Sequence, residues 1–526
     1  MLRFWRNPEF VRHCRAELRR NRALAVLPVV LVIGALIGLG CWASRASELE
    51  AVRRWATQFH REDHLAQFQT TYVRDIWRLF YRWLMLVQAG VLSFWSLLAC
   101  AQSVSGERER KTWDFQRTTR LTPGELLVGK LLGEPVLAYF MVICCFPMAL
   151  AAAIGGKLRV SDFVSAYAMI MMGALFIGLV GLWLSSLLES RRGFGLLAAI
   201  GLFVLFVISY NVRMSNYPGL AAFSPLAGLL PLLQVDTAPN QPIATIFGQK
   251  VPWLVASLVL YVTFGAWLVV MLVRNLKRDY EGMRLLTRWQ ALGCAAFVNF
   301  VVYAAFHPRS ETFWVQGDMM TRPTAPTPQD LVKLVVVFNT VILFGIGLAT
   351  LVPYERLKVW SRRRAEGKAS LLAEEGLAWP WLALSAVIAY ALLVWGLLAW
   401  RSVLGFERNV LSASALQLLT VLLFVTGDVI FIQWCRLTRM RAPLLKGVLY
   451  LGLYYATAIV LTIVVSLGSQ PFAEALSAVL TPVAAFDDRI VSFRAPLSVG
   501  LGWALQCVFI GIMIAVITRR VQRPAN

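Results

Sequence analysis

The chain is poor in charge. Only 15% of its 526 residues are Asp, Glu, Lys or Arg, where a soluble domain carries about a quarter. That shortage excludes a soluble enzyme with an ordinary wet surface. Cysteine is also scarce, with 8 residues at Cys14, Cys41, Cys100, Cys144, Cys145, Cys294, Cys435 and Cys507 and no CxxC pair. A disulfide scaffold is therefore excluded, and most of these thiols read as small buried hydrophobes. Among the histidines, His60 and His64 stand four apart with Glu62 and Asp63 between them. The zinc-peptidase HExxH placement is missing, so the pair reads as part of a solvated helix, with no metal site expected. No GxxxxGK[ST] occurs; Gly155-Gly156-Lys157-Leu158 lacks both the glycine spacing and the hydroxyl. The chain has no P-loop with which to hold a nucleotide. No Ser-His-Asp or Cys-His constellation stands out, and no catalytic residue is expected.

What the chain has is apolar length: 58% hydrophobic residues and a mean hydropathy of +0.64. A helix crosses the hydrocarbon core with about 20 mainly apolar residues. Twelve stretches meet that need, at 23–43, 79–103, 131–155, 163–188, 194–212, 252–273, 289–306, 331–352, 379–400, 412–435, 447–466 and 498–518. The expected fold is all-α, a polytopic membrane protein of about 12 transmembrane helices. With both termini inside, roughly two thirds of the 51 Lys and Arg fall in cytoplasmic segments, as the positive-inside rule requires. The net charge of +22 thus reports an N-in, C-in orientation, and no nucleic-acid partner is expected. Residues 1–22 carry seven arginines among Leu2, Phe4, Trp5, Phe10, Val11 and Leu18. They read as an amphipathic segment on the inner leaflet, with arginines reaching lipid phosphates. The apolar run from Ala23 is too long for a signal-peptide core, and Gly38-Leu39-Gly40-Cys41 is a poor lipoprotein box.

The spans divide into two sets of six, 23–280 and 281–526, on one plan. Each set has a charged segment after its second span, with Glu109-Arg110 and Trp113 in the first and Glu355-Arg356 and Trp360 in the second. Each also has an apolar outer loop with a hydroxyl-Pro pair, Ser224-Pro225 and Thr481-Pro482, that reads as a helix start with the hydroxyl as N-cap. The second half is the diverged copy.

The most informative stretch runs from Ser103 to Lys130. A run of charges, Glu107-Arg108-Glu109-Arg110, leaves the second span; Trp113 and Phe115 follow; then come Leu121-Thr122-Pro123 and Gly129-Lys130. This pattern resembles the permease subunit of an ATP-binding-cassette (ABC) exporter of type 2. The departure is Lys111-Thr112-Trp113, where that family usually has Gly-Thr and then an acidic or apolar residue. The resemblance implies a coupling segment on the inner membrane face that docks on separate ATPase subunits, two of them if one chain forms both halves. ATP and Mg would be held by those partners, and this chain would bind no cofactor. The coupling residues would be Glu107, Arg108, Glu109, Arg110, Trp113, Phe115, Thr122, Pro123 and Lys130, with Glu355, Arg356 and Trp360 in the diverged copy. Aromatic anchors suit such an interface.

Asp428 falls near the middle of the tenth span, where an ionisable residue is costly and points to function. Glu134 reads as support for the coupling region, and Gln417, Gln433 and Asn299 as interhelical hydrogen-bond formers. The expectation is a multi-pass protein of the cytoplasmic (inner) membrane that exports an unidentified substrate. Three alternatives remain open: a larger permease that dimerises, an ATP-independent secondary transporter using Asp428, and a membrane scaffold.

Overall fold

Inside a bilayer each backbone N–H and C=O must find its partner within the protein, so long apolar runs become helices. They do so here. The computed structural model describes residues 7–58, 62–113, 121–187, 225–233, 243–246, 249–276, 286–305, 328–352, 354–373, 375–399, 408–438, 443–486 and 496–522. In chain order the helices are α1 (Pro8–Glu17), α2 (Arg20–Gln58), α3 (Glu62–Glu109), α4 (Pro123–Gly133), α5 (Val136–Gly155), α6 (Val160–Leu187), α7 (Pro225–Leu233) and α8 (Trp253–Leu276). The second half contributes α9 (Arg288–Ala305), α10 (Pro328–Ala349), α11 (Tyr354–Ala365), α12 (Trp379–Ala399), α13 (Arg408–Leu437), α14 (Pro443–Ser466), α15 (Gln470–Leu480) and α16 (Pro496–Gln522).

Among the described residues ten helices are long and apolar enough to span. The chain is an all-α polytopic membrane protein. The expected span at 194–212 lies outside the described residues. The one at 289–306 is present as α9, whose 18 residues include Arg288, Gln290 and Asn299 and which is not among those ten.

Several boundaries differ from the sequence expectation. α2 and α3 have 39 and 48 residues, far more than a bilayer needs, because residues 44–58 and 62–78, between the first two expected spans, are helical. The third span is interrupted: α4 stops at Gly133 and α5 starts at Val136, with Pro135, which has no N–H to donate, at the break. A two-stranded antiparallel hairpin, β1 (Ile243–Ile246) and β2 (Gln249–Pro252), pairs Ile243 with Pro252 just before α8. Nothing in the hydropathy pattern announced it.

The same pairs of spans pack in each half. α3 contacts α2, α5 and α6, and α10 contacts α9, α12 and α13; α6 packs on α8 as α13 packs on α16. α3 and α6 approach closely through small residues, since a Cβ on Gly181 would lie 2.7 Å from the Leu97 carbonyl oxygen. Asn299 and Asn339 join α9 to α10 by exchanging side-chain hydrogen bonds of 3.1 and 2.7 Å. One apolar core crosses between the halves, with Leu97, Ala101 and Ile177 joining Val335, Leu343, Val421 and Val425. α14 and α16 by contrast keep most of their surface open, as lipid-facing helices do.

The two hydroxyl-Pro elements also have matching neighbours. α7 starts at Pro225 and packs on α6, while a 3-10 helix, Pro482–Phe486, packs on α13. Ser224 lies outside the described residues. Thr481 does not act as the expected N-cap: its hydroxyl donates back to Ser477 O at 2.7 Å and closes α15.

Candidate functional site: a buried charge cluster at one end of the bundle

The site is assembled from three helix ends. α4 begins with a capping box, in which Thr122 Oγ1 accepts from Glu125 N (3.2 Å) and Glu125 Oε2 accepts from Thr122 N (2.8 Å), with Pro123 at the first helical position. α1 begins with Asn7 as N-cap, its Oδ1 accepting from Glu9 N (3.0 Å) and Phe10 N (3.4 Å). Asn7 Nδ2 also donates to Glu125 O at 2.6 Å and ties the two helices together. The seat for α1 is a glycine groove on α4. A Cβ on Gly129 would lie 2.8 Å from Glu9 Cβ, and one on Gly133 would lie 3.0 Å from His13 Cβ.

Between these helices and the end of α3 sits a cluster of charges. Lys130 is fully buried; its Nζ lies 2.7 Å from Glu107 Oε2, 3.6 Å from Glu9 Oε1 and 3.2 Å from Ser103 Oγ. Arg12 bridges the same two acids, at 2.6 Å from Glu9 and 3.1 Å from Glu107. His13 stands 3.3 Å from Glu9 and 3.7 Å from Glu134. Burial would raise the carboxyl of Glu9, but the His13 hydrogen bond and the charges of Lys130 and Arg12 outweigh it and hold the pKa at about 2. A depressed carboxyl contributes stability above its unfolded pKa, near 4.5, and loses it as pH falls through 2. Glu9 therefore keeps its charge across the neutral range.

α3 ends just beyond Glu107 in a Schellman motif. Lys111 N donates to Arg108 O and Thr112 N to Glu107 O, with Lys111 at φ 58°. That left-handed position usually falls to glycine, which explains the Gly-Thr of the resembling pattern. The turn folds Trp113 inward among Cys100, Val104, Leu126, Leu182 and Leu272. Its ring lies 5.7 Å from the Lys130 ammonium and 6.0 Å from the Arg108 guanidinium, and Arg108 donates to Ser186 O at 3.2 Å. Trp113 thus packs inside its own chain, where the sequence suggested an outward anchor. Glu109, Arg110, Lys111 and Thr112 remain exposed. Phe115 lies outside the described residues.

In the second half α11 has the corresponding place. Glu355 is exposed, Arg356 half-buried and Trp360 buried among Leu357, Leu377, Ile517 and Val521. Trp360 Nε1 donates to Ser370 O at 3.2 Å, and Arg364 covers its ring at 5.4 Å. Both tryptophans are therefore buried indoles under an arginine. No counterpart of the Glu107–Lys130 pair is present in this half among the described residues. Arg288, fully buried, donates instead to Leu377 O at 2.8 Å and to Gly376 O. It fixes the start of α9 to the loop after α11.

Asp428 lies away from this end, within α13, where Tyr455 Oη of α14 donates to its Oδ2 at 2.8 Å. Among the other polar residues in the spans, Gln433 bonds both the N–H and the C=O of Val352. Gln417 Oε1 has no partner among the described residues.

Sequence reasoning missed Asn7, Glu9, Arg12 and His13 as members of the site. α1 was expected on the inner leaflet; it presents Glu9 and His13 to α4, while Arg12, Arg15, Arg19, Arg20 and Arg22 are exposed. The signal was Asn7-Pro8-Glu9, a helix-start signature that carries an acid among arginines.

A family model described as "ABC-2 family transporter protein" matches residues 16–280, which includes α3, α4 and the Glu107–Lys130 pair. Comparison with curated proteins and with solved structures gives no significant match. On its helical membrane architecture and on a family match over half its length, the chain belongs to the ABC-2 family of transporter proteins, as a multi-pass membrane permease of an ABC-type transporter.

Proposed function

We infer that this permease is an exporter in the cytoplasmic membrane, driven by separate ATPase subunits that dock on the charged end of the bundle. Family membership implies ABC ATPases as partners. The single observation that carries the docking assignment is the Glu9–Lys130–Glu107 cluster with its buried Trp113. It ties α1, α3 and α4 into one block and leaves Glu109, Arg110 and Lys111 on the outside. A push on those exposed residues reaches the second span through α3 and the third through α4 and α5. ATP and Mg are held by the partner, and this chain contributes no catalytic group.

The repeated packing of α2–α3–α5–α6–α8 and α9–α10–α12–α13–α16 supports one chain as a complete permease of two halves, with both termini and α11 on the cytoplasmic side. Two ATPases are then required, one on the Glu107–Lys130 block and one on α11. The test is native mass spectrometry of the tagged complex, purified in mild detergent from its own cells. One copy of this chain with two ATPase subunits is the expected composition. Two copies with two ATPases would reduce the second half to an accessory, and recovery of the intact chain with no ATPase would overturn the reading.

A further inference from the structure

α13 and α14 meet along a narrow seam. At its lower end Gly447 lets the helices close up, a Cβ there lying 3.4 Å from Cys435 Cβ and 3.5 Å from Ile432 Cγ1. Two turns along α14 the seam turns polar, where Tyr455 Oη meets Asp428. The neighbouring residue on α13 is Gly427, and the space a Cβ would take is bounded by Gln506 Oε1 at 3.1 Å and the Phe509 ring at 3.5 Å, both from α16. Tyr454 stands edge-on to Tyr455 with ring centroids 5.2 Å apart. Tyr454 and Phe509 are 42% and 39% exposed, on helices whose outer faces are open to lipid.

A carboxylate inside a span is expensive, and one hydroxyl hydrogen bond does not balance its charge. No Lys, Arg or His pairs with Asp428 among the described residues; its partner there is Tyr455. Two tyrosine rings stand beside it, and a phenylalanine ring and an amide oxygen close on the adjacent Gly427; such groups favour a cation. We propose that Asp428, Tyr455, Tyr454 and Phe509 form a membrane-embedded binding site for the ammonium group of a lipid-soluble cation that enters sideways from the bilayer. The amine replaces the missing positive partner, the rings cover its alkyl substituents, and its apolar body lies against the open faces of α14 and α16. A zwitterionic lipid does not fit, because no basic group stands beside Asp428 to receive its phosphate. Depth argues the same way. Asp428 is nine residues before the end of α13 at Leu437, about 14 Å along a helix, too deep for a headgroup.

The site deepens the transport reading by naming a substrate class, and it rests on that reading only for the release step after binding. Its test therefore needs no ATPase. The full chain in nanodiscs is titrated with a radiolabelled benzyl-dimethyl-dodecylammonium, in competition with its uncharged isostere, in which carbon replaces nitrogen. The wild type is expected to bind saturably and the isostere not to compete. Asp428→Asn should weaken binding at least ~10-fold, Asp428→Glu should retain part of it, and Tyr455→Phe should weaken it a few-fold. Equal binding by wild type and Asp428→Asn would overturn the proposal. If Asp428→Asn fails to fold, the isostere competition on the wild type decides, and effective competition by it sinks the charge-recognition claim. Competition by phosphatidylethanolamine as strong as that of the amine would assign the site to lipid and count against it. Loss of ATPase association with binding intact would remove the export mechanism and leave this site standing.

Discussion

Lys130 shows what a single buried charge decides in this molecule. Its ammonium has no exposure, and two carboxylates from different helices converge on it. Removing one partner from a buried ion pair typically costs about 3–5 kcal/mol, because the remaining charge stays desolvated and uncompensated. Lys130→Met is therefore expected to destabilise the α1–α4–α3 junction by about 3 kcal/mol, leaving Glu9 and Glu107 to repel each other with only the exposed Arg12 between them. Thermal unfolding in detergent, followed by tryptophan fluorescence of the buried Trp113, measures this; an unchanged midpoint would show that the cluster is not a structural link. Lys111 offers the reverse case. A non-glycine residue in the left-handed region costs roughly 1–2 kcal/mol, part of which glycine forfeits in chain entropy. Lys111→Gly should then stabilise the end of α3 by up to about 1 kcal/mol, read as a raised unfolding midpoint; a lowered one would mean that the lysine side chain makes contacts that matter more than the backbone.

At the scale of elements, the fit of α1 on α4 depends on the absence of two side chains. A methyl group at Gly129 would sit 2.8 Å from Glu9 Cβ and 2.9 Å from Asn7 Oδ1, well inside van der Waals contact, so Gly129→Ala should lift α1 from its groove. Limited trypsin digestion reads this directly, since Arg12 and Arg15 lie on α1. Faster cleavage there with α3 still protected is the expected pattern, and unchanged cleavage would refute the groove. Little of this junction could be read from the chain. Helices were legible wherever about twenty apolar residues ran together, as in α5, α12 and α14. The Thr122-Pro123 start has a local capping signature, which the reading of the chain took only as part of the motif. The pairing of Glu107 with Lys130 bridges 23 residues and that of Glu9 with Lys130 far more, and no periodicity encodes contacts between separate helices. Arginine abundance also dominated the reading of residues 1–22 and left Glu9 unread. The arginines that stay on the surface suggested lipid, while Glu9 faces Lys130 of α4.

At the scale of the whole molecule, the two halves share helix pairings but not surface charge. The first presents Glu109, Arg110 and Lys111; the second presents Glu355 and Glu366 among Arg362, Arg363, Arg364 and Lys368, all exposed. Two such unlike surfaces suit partners that meet them with unlike potentials, and exposed charge of this kind acts chiefly on association rate and salt sensitivity. A shared plan of spans was legible in the sequence, and the structure has contacts that parallel it, such as α7 on α6 and the Pro482–Phe486 turn on α13. The absence of Thr-Pro and Gly-Lys after Glu355-Arg356 was legible too. What replaced them, the bond of Arg288 to the loop after α11, was not, because a single arginine at a span boundary looks like any other positive-inside residue.

The uncommon length of α3 has a mechanical consequence. Its 48 residues make a rod of about 72 Å at 1.5 Å per residue, more than twice the ~30 Å of hydrocarbon it crosses. One end of that rod is held in the charge cluster at Glu107, and the other, at Glu62, is the far end of the same continuous helix. A tilt of about 5° about the clamped end would sweep the far tip through about 6 Å, given that helical rise. A hinge motion too small to disturb the packing at Lys130 thus becomes, at the other end of the same lever, a displacement wider than a methylene chain.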